Sequence, residues 1–171
     1  MNKILVTGGC GFIFSNFIRH MLNKYPDYKI SNLDKLTYAA NVNNLRDIEK
    51  NKNYKFYRGD ICDKILVEKI IKKENIDVIV NGAAETHVDK SIVDSEPFIL
   101  TEVLGVGKLL DAVKKFNIEK FVQISTDEVY GSIETGSFKE TDPLNPRNPY
   151  AACKAGAELL IKGYYETFDL P

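Results

Sequence analysis

The sequence predicts an α/β protein, a doubly wound parallel sheet with helices on both faces. Three observations predict it. Short apolar, β-rich runs alternate with longer stretches of helical period along the chain. The first run passes through Gly8-Gly9-Cys10-Gly11 straight into a helical stretch, the strand–turn–helix junction of a βαβ unit. A later run has the core Val78-Ile79-Val80, apolar without alternation, as in a strand buried on both faces.

Taken in order, Lys3 to Thr7 reads as the first strand and Phe12 to Lys24 as the first helix. Tyr28 to Leu33 is the second strand. A polar loop then leads to a short helix near Leu45 to Lys50. Tyr54 to Arg58 is the third strand, Ile65 to Lys73 a helix, and Asp77 to Asn81 the fourth strand. Phe98 to Phe116 reads as one long helix, Lys120 to Ser125 as the fifth strand, and Pro149 to Phe168 as the last helix. The stretch from Gly131 to Asn148, with Gly136, Pro143 and Pro146, reads as a flap over a site. A sixth strand is expected after Phe168, so residues 1–171 read as a single, C-terminally truncated domain.

Composition narrows the function. The chain has 171 residues, 44% hydrophobic and 27% charged, with 23 basic against 24 acidic residues and a net charge of −1. That balance offers no footprint for nucleic acid, and the Lys72-Lys73 and Lys114-Lys115 pairs read as solvated helix faces. Cys10, Cys62 and Cys153 are widely spaced and only His20 and His87 could join them, which argues against disulfides and against a metal site. The apolar run before Gly8 is too short for a signal peptide or a membrane span, so a cytoplasmic protein is expected.

The glycine turn points to a dinucleotide. Gly8 and Gly11 would let a pyrophosphate approach backbone N–H groups at a helix N-terminus, where the dipole favours negative charge. This is the fingerprint of a Rossmann-type fold, with its third glycine replaced by Phe14. A ring there is expected to press the helix outward or to intrude on the phosphate site, at about 1–3 kcal/mol, and to weaken NAD binding. Asp34 ends the second strand about 20 residues further on, where a carboxylate accepts from ribose hydroxyls and repels a 2′-phosphate, favouring NAD over NADP.

Tyr150 and Lys154 stand one helical turn apart and share a face. An ammonium there is expected to lower the phenol pKa from about 10 and make Tyr150 a general base. Thr126-Asp127-Glu128 follows the fifth strand, at the carboxyl edge where ligands bind in such sheets. Two adjacent acids can divide acid and base roles.

With these segments, and with Asn32 to Ala39, Gly59-Asp60-Ile61 and Ala83 to Asp89, the chain resembles the dTDP-glucose 4,6-dehydratases of the extended short-chain dehydrogenase/reductase family, over about their first half. The resemblance implies NAD as cofactor. It implies Phe12 and Ile13 at the pyrophosphate, and Asp34, Lys35, Leu36 and Thr37 at the adenosine ribose. Asp60 and Ile61 would flank the adenine, and Gly82, Ala83, Ala84, Thr86 and Thr101 would line the cleft beside Tyr150 and Lys154. Thr86 and Thr126 would touch the sugar, Glu128 would take the C5 proton and Asp127 would protonate the departing C6 hydroxyl. A homodimer through the Phe98–Phe116 and Pro149–Phe168 stretches is implied as well.

Some positions depart from that pattern. Phe14 stands for a small residue, Gly82 for a large apolar one, Glu102 for an asparagine, and Ala151 and Cys153 for serines. Two other readings stay open, a non-catalytic nucleotide-binding relative and a sugar-nucleotide epimerase, the latter weakened by Asp127 and Glu128. His87 is read mainly as structural, and Glu85 and Asp89 as helix-start and loop acids. The choice between a dTDP and a UDP sugar is left open, and this chain by itself is expected to bind NAD weakly and to turn over no substrate.

Overall fold

A computed structural model describes residues 2–171. Five strands, β1 (Lys3–Thr7), β2 (Lys29–Asp34), β3 (Tyr54–Arg58), β4 (Val78–Asn81) and β5 (Lys120–Gln123), form one sheet in the order β3-β2-β1-β4-β5. Every pairing is parallel. This is the doubly wound arrangement expected, with the order reversing beside β1. The register sets Thr7 opposite both Leu33 and Asn81, and Asn81 opposite Gln123. The carboxyl ends of β1, β2, β4 and β5 are therefore level, and the site lies along that edge.

Alternation along β1 builds two cores. Leu5 points to one face, with Leu33, Ile79, Val67 and Ile70 of α2 (Lys64–Glu74), and Leu109 and Val113 of α5 (Val106–Phe116). Ile4 and Val6 point to the other, with Ile30, Val80, and Phe14, Ile18 and Leu22 of α1 (Phe12–Lys24). Burying each such side chain contributes about 1.5–3 kcal/mol. Leu5 is fully buried, and its truncation to Ala would cost about 2–5 kcal/mol.

Local chemistry ends the helices where the sequence asks. The Asp63 carboxylate accepts from Leu66 N–H at 3.0 Å and starts α2. Asn75 (φ 50°) and Asn117 (φ 51°) stop α2 and α5 in the left-handed conformation that Asn tolerates. In α6 (Pro149–Phe168), Asn148 caps the first turn through Ala151 N–H at 2.8 Å, with Pro149 behind it.

Four elements differ from expectation. The helix near Leu45 is a 3₁₀ segment, Val42–Ile48. A short helix, α3 (Val88–Val93), follows β4, with His87 at its N-cap and Asp89 in its first turn. The long helix over Phe98–Phe116 has three parts: α4 (Glu96–Phe98), a π-helical segment Ile99–Gly105, and α5. β5 ends at Gln123, two residues early, although Ile124 N–H still donates to the Asn81 carbonyl at 3.1 Å. At the other end of the chain, Phe121 of β5 donates its N–H to the Pro171 carbonyl at 3.1 Å, and Leu170 packs on the core. Among the described residues, no helix is long and apolar enough to cross a membrane.

Candidate active site

The glycine turn is held from two sides. Gly8 has φ +70°, and a Cβ on it would lie 2.7 Å from the Gly82 carbonyl oxygen, so only glycine fits. Asn32, fully buried, accepts from Gly9 N–H at 3.0 Å and donates to Tyr54 Oη at 3.0 Å. Gly11 caps α1 with no side-chain hydrogen bond. The first N–H groups of α1 therefore face the cleft without a side-chain cap, the arrangement an anion needs.

Asp34 does more than the sequence reading gave it. Its carboxylate accepts from Cys10 N–H and from Leu36 N–H, each at 2.8 Å, and it is buried. It ties the glycine turn to the loop after β2, and each oxygen keeps a second lone pair for a ribose hydroxyl.

A cleft of about 400 Å³ opens beside these groups, within the range of small-molecule sites. It is lined by Gly8, Gly11, Phe12, Ile13, Asp34, Lys35, Thr37, Asp60, Ile61, Gly82, Ala83, Ala84, Thr86, Thr101, Tyr150 and Lys154. Of the residues expected at the cofactor, Leu36 alone is elsewhere: at φ 60° its side chain packs into the core under α1. Lys35 and Asp60 pair at 2.7 Å within the lining. Glu85, expected to be a plain helix-start acid, lies in the lining, and burial pushes its carboxyl pKa up. Ile124 and Ser125 also line the cleft and were not anticipated. His87 is exposed and sits 5.5 Å from the Tyr38 ring, outside the lining.

Phe14 does not overpack. Its ring is 7% exposed and lies on Gly82, where a Cβ would come within 2.2 Å of it. Phe17 meets it edge to face at 5.5 Å. The missing side chain at residue 82 supplies the room that the missing third glycine would have supplied, so the expected outward pressure on the helix has no cause, while the ring itself forms part of the cleft lining.

At the β4–β5 end, Thr7 Oγ1 hydrogen-bonds Asn81 and accepts from Gly82 and Ala83 N–H at 3.2 and 3.1 Å. Asn81 donates to Gln123 Oε1 at 2.7 Å. This chain of buried amides fixes the strand ends from which residues 124–128 project. Thr126, Asp127 and Glu128 are not in the cleft lining. They form a 3₁₀ turn beside it, Asp127–Tyr130, capped by Thr126 Oγ1 accepting from Glu128 N–H at 3.3 Å. Asn148 donates to Glu128 Oε2 at 2.8 Å, so the cap of α6 also aims the acid. Asn148 was missed as a site residue, although an Asn directly before a helix-starting Pro is a legible cap.

Tyr150 is half-buried. Its N–H donates to Ser91 Oγ at 3.1 Å, and its ring meets Phe98 edge to face at 6.4 Å. The sequence reading placed its phenol below the ordinary pKa, and the structure reverses that direction. Burial pushes it up, Thr126 works the other way, and the carboxyls of Glu102, Glu128 and Asp127 push it up further. The ammonium meant to lower it is engaged elsewhere: Lys154 Nζ lies 3.0 Å from Glu102 Oε2 and donates to the Ile124 carbonyl at 3.2 Å.

Residues 5–171 match the model of the GDP-mannose 4,6 dehydratase family. The chain is 53% identical over 168 residues to the low-salt glycan biosynthesis protein Agl12 of Haloferax volcanii, covering 98% of this chain and 53% of that one. It is 44% identical to human dTDP-D-glucose 4,6-dehydratase, covering 99% of this chain and 48% of that one. The chain thus spans about half the length of the curated relatives it matches. Among solved structures, dTDP-glucose 4,6-dehydratase from Bacillus anthracis in complex with NAD superposes with a TM-score of 0.93 at 48% identity, over 100% of this chain and 53% of that one. UDP-glucose 4-epimerase from Thermotoga maritima superposes with a TM-score of 0.88 at 28% identity, over 98% and 52%.

Proposed function

We propose, from the premise that this chain belongs to the GDP-mannose 4,6 dehydratase family, that it is the cofactor-holding and catalytic part of an NAD-dependent dehydratase acting on a nucleoside-diphosphate glucose. The observation that carries the reading is the placing of the Thr126-Asp127-Glu128 turn beside the cleft that Tyr150 and Lys154 line, with Glu128 tied to the start of the Tyr150 helix through Asn148. Relatives named dTDP-glucose 4,6-dehydratase, some crystallised with NAD, support it.

The residues present fit the cofactor. The uncapped N-terminus of α1 and the glycine turn suit a pyrophosphate. Asp34 suits the adenosine ribose and disfavours a 2′-phosphate. When bound, NAD would supply an acceptor for the hydride of sugar C4 and a donor of it to C6. Tyr150 takes the proton of the 4-hydroxyl, and Thr126 hydrogen-bonds the 4-oxygen. The resulting ketone acidifies C5–H, whose proton Glu128 removes. Asp127 protonates the C6 hydroxyl, which leaves as water. Glu128 then returns a proton to C5, and the proton held by Tyr150 passes to solvent as Asp127 regains its own.

The structural likeness to epimerases keeps a second reading alive. An epimerase has no use for an acid and a base one residue apart, and both Asp127 and Glu128 lie close enough to act on Tyr150. Incubating the full-length protein with NAD and either dTDP-glucose or UDP-glucose tests the choice. A 4-keto-6-deoxy product from one of them is the expected outcome, and a C4 epimer sinks the dehydratase reading. Glu128→Gln should slow exchange of the C5 proton with solvent by about 10²–10⁴-fold. A homodimer belongs to the same reading, supported by exposed Ile99, Leu100 and Leu104 on the π segment and Leu159 on α6. Sedimentation of the full-length protein at twice the monomer mass would bear it out.

A further inference from the structure

Glu102 is fully buried and stands on the π-helical segment, whose wide turn packs against α6. Its Oε2 lies 3.0 Å from Lys154 Nζ as an ion pair, and among the described residues neither carboxylate oxygen has a hydrogen-bond partner. Lys154 is itself only 4% exposed. A carboxylate is costly to place in such surroundings, and π turns concentrate at functional positions.

We propose that Glu102 is a positioning residue for Tyr150 and Lys154: its carboxylate holds the lysine ammonium by charge and thereby sets the pH at which the tyrosine can act as a base. The inference rests on the reading of Tyr150 as a base given above. Glu85, from the loop after β4, and Cys153, from α6, are the titratable groups near Glu102 besides Lys154, while Asp127 and Glu128, from the turn after β5, join Glu102 near Tyr150. Apart from Lys154, each is an acid or a thiol, so none offsets the carboxylate. An ammonium neutralised by Glu102 gives Tyr150 little help toward phenolate, and the other acids oppose it. Burial also holds the Glu102 carboxyl above its ordinary range, with Lys154 pulling it down.

The test is a pH titration of ¹³C-tyrosine in the full-length protein, with Tyr150→Phe to assign the resonance. In Glu102→Gln the Tyr150 midpoint should fall by about one pH unit or more, and the acid limb of kcat should fall with it. Glu102→Asp, which keeps the charge, should retain the high midpoint. A midpoint unmoved in a folded Glu102→Gln protein overturns the proposal, since a merely structural carboxylate would leave it in place. Should Glu102→Gln fail to fold, ¹³C labels on Glu102 and Lys154 of the unaltered protein decide. A Lys154 Cε resonance that responds as Glu102 takes up its proton supports the pair, and one that does not respond overturns it. A midpoint that moves in a protein that yields no 4-keto-6-deoxy sugar sinks the dehydratase reading and leaves the coupling of Glu102 to Tyr150 standing.

Discussion

The Phe14 ring fills the space that a side chain on residue 82 would need: a Cβ built on Gly82 would lie 2.2 Å from Phe14 Cε2. Each residue alone departs from the pattern of the dehydratases the chain resembles. Together they exchange volume across the α1–β4 contact. Phe14→Ala should cost about 3–5 kcal/mol and Gly82→Leu about 1–3 kcal/mol. The double variant should recover part of both losses, with a coupling of about 0.5–3 kcal/mol. Urea unfolding of the four proteins measures the cycle, and simple additivity would refute the exchange.

Asp34 ties two backbone segments together, and substitution can separate that role from the one proposed for it at the ribose. Asp34→Ala leaves the Cys10 and Leu36 N–H groups without their 2.8 Å acceptor and should cost about 1–3 kcal/mol. Asp34→Asn keeps one acceptor and removes the charge. It should lose less stability while narrowing the preference for NAD over NADP by about tenfold, on the order of 1.4 kcal/mol. Thermal melts and titration with both dinucleotides give the two numbers. Equal loss of preference and stability in both variants would mean that the carboxylate serves only the backbone.

Glu74 at the end of α2 makes a pH-dependent contribution. Burial raises its carboxyl pKa, but Lys55 at 2.7 Å and Tyr57 Oη at 2.6 Å outweigh burial and bring it below the ordinary value. A depressed acid adds stability above its unfolded pKa, about 4.3. That stability is lost as pH falls through the lower folded value. Glu74→Gln should therefore be less stable than the parent near neutrality, by on the order of 1 kcal/mol after solvent screening of the exposed Lys55. The gap should close in melts taken below pH 4. A gap that persists in acid would point to packing instead.

Asn148 ties two parts of the site together. Its carbonyl oxygen caps α6 through Ala151 N–H and its amide donates to Glu128. Asn148→Ala should cost about 1 kcal/mol and leave Glu128 without its 2.8 Å donor. Asn148→Asp should keep the cap and lose the donor. Asn148→Asp should melt near the parent while both variants exchange the C5 proton more slowly, and parental exchange rates in both would show that the Glu128 contact does not matter.

The sequence by itself determined the sheet and the glycine turn, and most of the cleft lining was legible only through the family resemblance. Alternation, apolar runs and cap residues are short-range patterns, and a parallel order with level strand ends follows from them. Asp34, the Tyr150–Lys154 spacing and the Thr126-Asp127-Glu128 turn were legible for the same reason. The structure alone decided what those residues touch. Phe14 and Gly82 are far apart in sequence, so their shared volume was invisible and the ring looked like an obstruction. Glu102 and Lys154 belong to different helices, so the i,i+4 rule assigned the ammonium to Tyr150 while packing gave it to Glu102. Leu36 turned into the core because its φ of 60° points the side chain away from the cleft. Volume and charge are settled by neighbours in space, and those neighbours exist only once the chain has folded.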